Sequence, residues 1–195
     1  MLYHGTDRKN AKNIIEKGFN TTVPAIQEIL YQSDNKGRRI KIPGSLGYGV
    51  YTFQDSYSMA KSFSKKFSKD VCVLKIEISD EANNNILDLT KDRVKEEFSH
   101  FARIAESVKN ADQLYSVFKK YGSAKMDLYA GIMTELYILF LTTKKKRKIR
   151  CVRKRTETLL PPLCRVHQRL CIDNGTEFTI RYPREDIKSI SEEKR

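Results

Sequence analysis

The stretch Leu46-Gly47-Tyr48-Gly49-Val50-Tyr51-Thr52-Phe53, continued by QDSYSMAKSF to Phe63, decides the fold, because it passes from turn to strand to helix. Its glycines make a turn that runs into the β-like piece Val50 to Phe53. Asp55 or Ser56 then caps a helix reaching about Phe67, with Met59, Ala60, Phe63 and Phe67 on one stripe. The same change of structure occurs at the start of the chain. Leu2 to His4 forms one edge of a strand, Gly5-Thr6-Asp7 turns, and Thr6 or Asp7 caps a helix over Lys9 to Lys17. Ala11, Ile14 and Ile15 share a face of that helix, and Gly18 stops it. Between the two units, Asn20 to Pro43 is polar, with a short helical stretch at Ala25 to Tyr31, and reads as a surface excursion.

Downstream, VCVLKIEI (Val71 to Ile78) has the β-branched density of a central strand, and Ile86-Leu87-Asp88-Leu89 is a second, short one. From Lys91 to Leu141 the period becomes helical, marked by Val94, Phe98, Phe101 and Ala105, then Leu114, Val117, Phe118 and Tyr121, then Leu128, Ile132, Leu136 and Leu139. Arg165 to Ile172 and Glu177 to Tyr182 read as a strand pair turned at Asp173-Asn174-Gly175, since Asn-Gly is a hairpin signal. Strands, a helical insertion at about 91–142 and strands again give an α+β fold. With 195 residues the chain forms a single domain, 1–195.

No run of about 18 apolar residues occurs, so no membrane span is expected, and the N-terminus shows no signal-peptide pattern. The expected compartment is the cytoplasm. Cys72, Cys151, Cys164 and Cys171 contain no Cys-x-x-Cys pair and the chain has three His, so the cysteines read as reduced thiols and no metal site is expected. The net charge is +13, and Lys144 to Arg155 (KKKRKIRCVRKR) supplies +9 of it without a single acid. Such a segment attracts polyanions, and Lys144, Lys145, Lys146, Arg147, Lys148 and Arg150 are its candidate nucleic-acid contacts. The same charge also suits a solvated loop that keeps the protein soluble.

LYHGTDRKNAKNIIEKGF (Leu2 to Phe19) and LGYGVYTFQDSYSMAKSF (Leu46 to Phe63), in this order and spacing, resemble the poly(ADP-ribose) polymerase-like catalytic domain of the ADP-ribosyltransferase superfamily. The positions that carry the resemblance are His4-Gly5-Thr6, Gly18-Phe19, Gly47-Tyr48-Gly49-Val50-Tyr51 and Ala60. It covers roughly the first 70 residues well and the remainder in outline. It implies a split β-sheet core that binds NAD as co-substrate, with no metal. His4, Gly5, Thr6, Gly49 and Tyr51 are then the cofactor-binding residues. Gly5 offers a backbone amide and carbonyl to the nicotinamide carboxamide, His4 a hydrogen bond to a ribose, and Tyr51 a ring to stack on the nicotinamide. The family's second aromatic wall falls on Ser62, with Phe63 beside it as the substitute.

The family's catalytic Glu stands at the start of a late strand. Laying that strand over Arg165 to Ile172 puts Gln168 there, which departs from the pattern and brings no negative charge, with Glu135 and Glu177 as fallback acids. His4, Tyr51 and Gln168 are therefore the expected catalytic set. The implied activity is NAD-dependent mono-ADP-ribosyl transfer to a macromolecular acceptor, with nucleic acid (RNA or DNA) favoured over protein by the basic segment. A bacterial or phage toxin or defence effector would have this size, and a toxin would need an antitoxin partner. A non-catalytic module that binds NAD or nucleic acid is the alternative.

Overall fold

The computed structural model describes residues 1–24, 43–107, 125–160 and 171–194. In chain order these form β1 (Leu2–Asp7), α1 (Arg8–Lys17), β2 (Val50–Gln54), α2 (Tyr57–Ser64), β3 (Val71–Ile78), α3 (Asp80–Asn84) and β4 (Ile86–Asp88). There follow α4 (Asp92–Ser107), α5 (Lys125–Lys144), β5 (Cys151–Leu160), β6 (Cys171–Ile180), α6 (Pro183–Asp186) and β7 (Ile187–Glu192). The strands make one mixed seven-stranded sheet in the order β4-β5-β6-β2-β1-β3-β7, in which only β4 and β5 run parallel. The fold is α+β, and no helix among the described residues is long and apolar enough to cross a membrane.

Local signals set the first units. The Asp7 side chain accepts the Asn10 backbone N–H at the start of α1, and Gly18 closes the helix with φ +74° and its N–H on the Ile14 carbonyl. Ser56 caps α2 in the same way, accepting from Met59 N–H. β1 is longer than the sequence implies and lies inside the sheet, paired with β3 along its whole length from Leu2↔Ile76 to Asp7↔Val71.

Alternation along the strands divides the core between two faces. On one, Leu2, Val50, Leu74, Ile76, Phe178 and Ile180 pack with Ala11 of α1, Phe19 and Ala82 of α3. On the other, α2 brings Met59 and Ala60 onto Tyr3, Phe53 and Val73, while α5 brings Tyr137, Ile138 and Leu141 onto Leu46, Leu87 and Val152. Tyr51 packs at the edge of the α5 cluster, two residues before Phe53 on β2.

Two expectations are corrected. The hairpin turn expected at Asp173-Asn174-Gly175 is absent, because β6 runs straight through it, paired with β5 from Cys151↔Ile180 to Leu160↔Cys171. Gly175 instead faces the end of the Met59 side chain, where a Cβ would lie 2.1 Å from the sulfur and the thioether would have to move. The basic segment is likewise not one solvated loop. Lys144 to Lys148 are exposed, but Ile149 to Val152 are buried and β5 is an interior strand between β4 and β6. The expected helix at Ala25 to Tyr31, the one marked by Leu114 to Tyr121, and Cys164 lie outside the described residues. Cys72 and Cys151 are buried free thiols, and burial pushes the Cys151 thiol up to about 12.

Candidate functional site

β1 and β2 pair at only two positions, Leu2↔Gln54 and Tyr3↔Phe53. Beyond Tyr3, β1 continues on β3 as far as Asp7, and β2 stays on β6 from Val50 to Gln54, so the sheet parts between them. The phase of the ladder is fixed by the Met1 carbonyl, which accepts Asp55 N–H at 2.8 Å. In an antiparallel pair alternate residues aim their N–H and C=O at the same neighbour. Met1, Tyr3 and Gly5 therefore face β2. At Gly5 the pairing has ended. Continued by two residues, the register would set Gly5 opposite Tyr51, and the two would exchange backbone hydrogen bonds.

His4 occupies the place of that missing rung. Its Nδ1–H donates to the Tyr51 carbonyl at 2.7 Å, and its ring stands edge-on to Phe19 with centroids 5.1 Å apart. A carbonyl only accepts, so the proton is on Nδ1 and Nε2 keeps its lone pair. Burial holds the imidazole below its usual 6.5, against the opposing pull of the Tyr51 carbonyl. Gly5 has a packing role too: a Cβ would fall 2.0 Å from the Ala60 carbonyl oxygen, so α2 lies on β1 only because this residue is glycine. Thr6 continues β1 opposite Cys72, half-buried on the His4 side.

Tyr51 is fixed at both ends. Its hydroxyl donates to the Gly47 carbonyl at 2.8 Å and accepts Leu46 N–H at 2.9 Å, which locks the ring against the glycine-rich turn. Burial above all, with the charges of Glu177 and Glu135, raises its phenol pKa, so the ring is a neutral wall. Gly49 enters β2 with φ +149° and its Cα against the Ile180 backbone. Ser62 is buried in α2, whereas Phe63 is partly exposed and tilted on Phe53 with centroids 5.7 Å apart.

The two fallback acids part company. Glu135, on α5, is buried, takes both Nη atoms of Arg181 and also accepts Tyr48 N–H at 2.7 Å. Its charge is neutralised on site, so it is a strut. Glu177, on β6, pairs with Phe53 of β2 and so lies on the same side of the sheet as Tyr51 and Phe53, half-buried. The register thus brings an acid onto the Tyr51 face of the sheet, opposite Phe53 and diagonal to Tyr51. Gln168 itself lies outside the described residues. The signal for Glu177 in the sequence is TEFTIRY, a polar and apolar alternation whose Glu opens the run.

Arg150, expected as a nucleic-acid contact, is corrected. It is buried, with Nε on Asp186, Nη2 on Glu185 at 2.7 Å and Nη1 on Glu81 at 3.2 Å. Lys148 also pairs with Glu81, although it stays exposed. Lys144, Lys145, Lys146 and Arg147 are exposed where α5 ends. Among the described residues no group of three His, Cys, Asp or Glu side chains is placed to hold a metal. No family model matches this chain, and neither does any curated protein or solved structure.

Proposed function

We propose that the chain is an NAD-dependent mono-ADP-ribosyltransferase, with the parting of β1 and β2 as the nicotinamide end of a split-sheet NAD site. The observation that carries the reading is Gly5, whose backbone N–H and C=O aim into the gap where β2 no longer pairs. A primary carboxamide offers one acceptor and two donors in a plane, which matches that edge. NAD supplies the glycosidic bond whose cleavage releases nicotinamide. The residues of the chain bind and polarise it. Gly5 orients the carboxamide, the Tyr51 ring walls the pocket, and His4 Nε2 accepts from a ribose hydroxyl. Glu177 takes the role expected of Gln168: its carboxylate holds a hydroxyl of the nicotinamide ribose and stabilises positive charge developing at the anomeric carbon.

The acceptor is a macromolecule, and the exposed Lys144 to Arg147 favour a nucleic acid. The test incubates the protein with NAD carrying a labelled adenylate, in separate pools of RNA, DNA and cellular protein, and follows both nicotinamide release and label capture. Release with label on one pool supports the proposal, and NAD binding without release supports the non-catalytic alternative. His4→Ala and Tyr51→Ala should each slow release at least tenfold, about 1.4 kcal/mol of transition-state stabilisation. Full activity in both variants would refute the site.

A further inference from the structure

The helix that follows β2, with the turn after it, carries a surface most of which neither the core nor the cleft uses. From Lys61 to Lys69 the chain reads KSFSKKFSK, four lysines without an acid. Ser62 and Ser64 turn inward and are buried. The outward side is aromatic. Phe53 is 6% exposed, Phe63 36% and Phe67 78%, and successive ring centroids lie 5.7 and 5.6 Å apart. Three rings therefore step from the strand face that carries Tyr51 out into water. The last step is held, since the N–H groups of Phe67 and Ser68 both donate to the Ser64 carbonyl.

Cations flank the steps. Lys66 Nζ stands 4.9 Å from the Phe63 ring centroid, and Lys61 Nζ 5.4 Å from that of Tyr57. Lys65, Lys66 and Lys69 are exposed, and among the described residues none of the four lysines is in an ion pair. Aromatic faces set among uncompensated positive charges suit a polymer that alternates planar rings with phosphates. A duplex keeps its base faces stacked inside and offers only phosphates. An acidic protein would satisfy the lysines but leave the ring steps without a periodic match.

We propose that Phe63 and Phe67, with Lys61, Lys65, Lys66 and Lys69, form a stacking platform for single-stranded nucleic acid, which leads the acceptor toward Tyr51 and Glu177. Delivery to the cleft rests on the transferase reading; the binding itself does not. Phe63 would be the shared step between strand and cleft.

The test measures fluorescence anisotropy of a labelled 12-nucleotide single strand, as RNA and as DNA, and of the same sequence as a blunt duplex, without NAD. Both single strands should bind more tightly than the duplex. Phe67→Ala should weaken single-strand binding about tenfold, within the range for removing a ring beneath a stacked base, and Phe67→Tyr should restore it. Lys65→Gln with Lys66→Gln should flatten the slope of log affinity against log salt by about 1.4, near 0.7 for each phosphate that is no longer neutralised. Circular dichroism checks that each variant is folded. Equal binding of duplex, unchanged binding by Phe67→Ala, or no binding of either strand overturns the platform. Nicotinamide release by the unsubstituted protein, measured without oligonucleotide, reads the cleft separately. Release without strand binding overturns the platform alone, and strand binding without release overturns the transferase alone.

Discussion

Two regions of the sheet hold buried ionisable groups and differ in how those groups are answered. Around α5, β6 and α6, Glu135 meets the fork of Arg181, and Asp186 meets Arg150. Each charge there has its opposite within reach, although Arg181 Nε and Asp186 Oδ2 are buried without a hydrogen-bond partner. At the parting of β1 and β2, His4 is answered by a backbone carbonyl, and Gly5 aims its own backbone groups into a gap. Burial of an ionisable group therefore does not mark a site by itself; what separates the two regions is that one closes on ion pairs and the other ends a backbone ladder.

The comparison is broken most directly at Glu135. Glu135→Ala leaves the Arg181 guanidinium buried without its partner and should lower stability by about 3–5 kcal/mol in urea denaturation, while Glu135→Leu with Arg181→Met should recover most of the loss. A single-variant loss near zero would mean that the pair is not a strut. Glu177→Gln sharpens the other side: nicotinamide release should fall about a hundredfold, near 2.7 kcal/mol of transition-state stabilisation, with the denaturation midpoint unmoved. If stability falls instead and release does not, the two acids have exchanged roles.

The smallest effect is in pH. Because burial lowers the His4 pKa, the unfolded chain takes up this proton first as pH falls through 6.5. Stability from this group is complete above that point and declines below it, until the folded imidazole titrates as well. The urea midpoint should therefore drop between pH 7.5 and 5, and His4→Asn, which cannot titrate, should show a shallower drop. Parallel curves would show that other groups carry the acid sensitivity. Asp88 acts lower down: burial would raise its carboxyl, but Arg153 and the Thr90 hydrogen bonds reverse this and hold it at about 2, so its contribution is lost only as pH falls from 3.8 toward 2.

What could be read in the sequence was what is local. Asp7, Gly18 and Ser56 act within a turn of the helices that they bound, so α1, α2 and the strands beside them were legible. β5 was not, because its neutralising partners are remote: Arg153 meets Asp88 and Arg150 meets Asp186, far away in the chain. Local composition showed only the positive half of each pair. Asn174-Gly175 carried a turn signal, but the glycine answers the sulfur of Met59 across the sheet. That misreading hid the register that sets Glu177 opposite Phe53, while Gln168 lies outside the described residues. Glu135 gave no warning, since an acid in an apolar helical stripe looks alike whether it is a strut or a catalyst.

The unfinished rung between Gly5 and Tyr51 has a consequence for discrimination. Tyr3 and Phe53 tie the two strands together just before it, so the ladder stops one position short of His4 and two short of Gly5. On the transferase reading, a single planar amide would stand in for the peptide group that Gly5 lacks opposite it. A carboxamide ligand would complete the sheet by both donating to Gly5 C=O and accepting from Gly5 N–H. The corresponding carboxylate has no proton to give and would set its charge against a carbonyl oxygen. The backbone alone would thus tell the amide form of a pyridine nucleotide from its acid form, with no side chain assigned to the task.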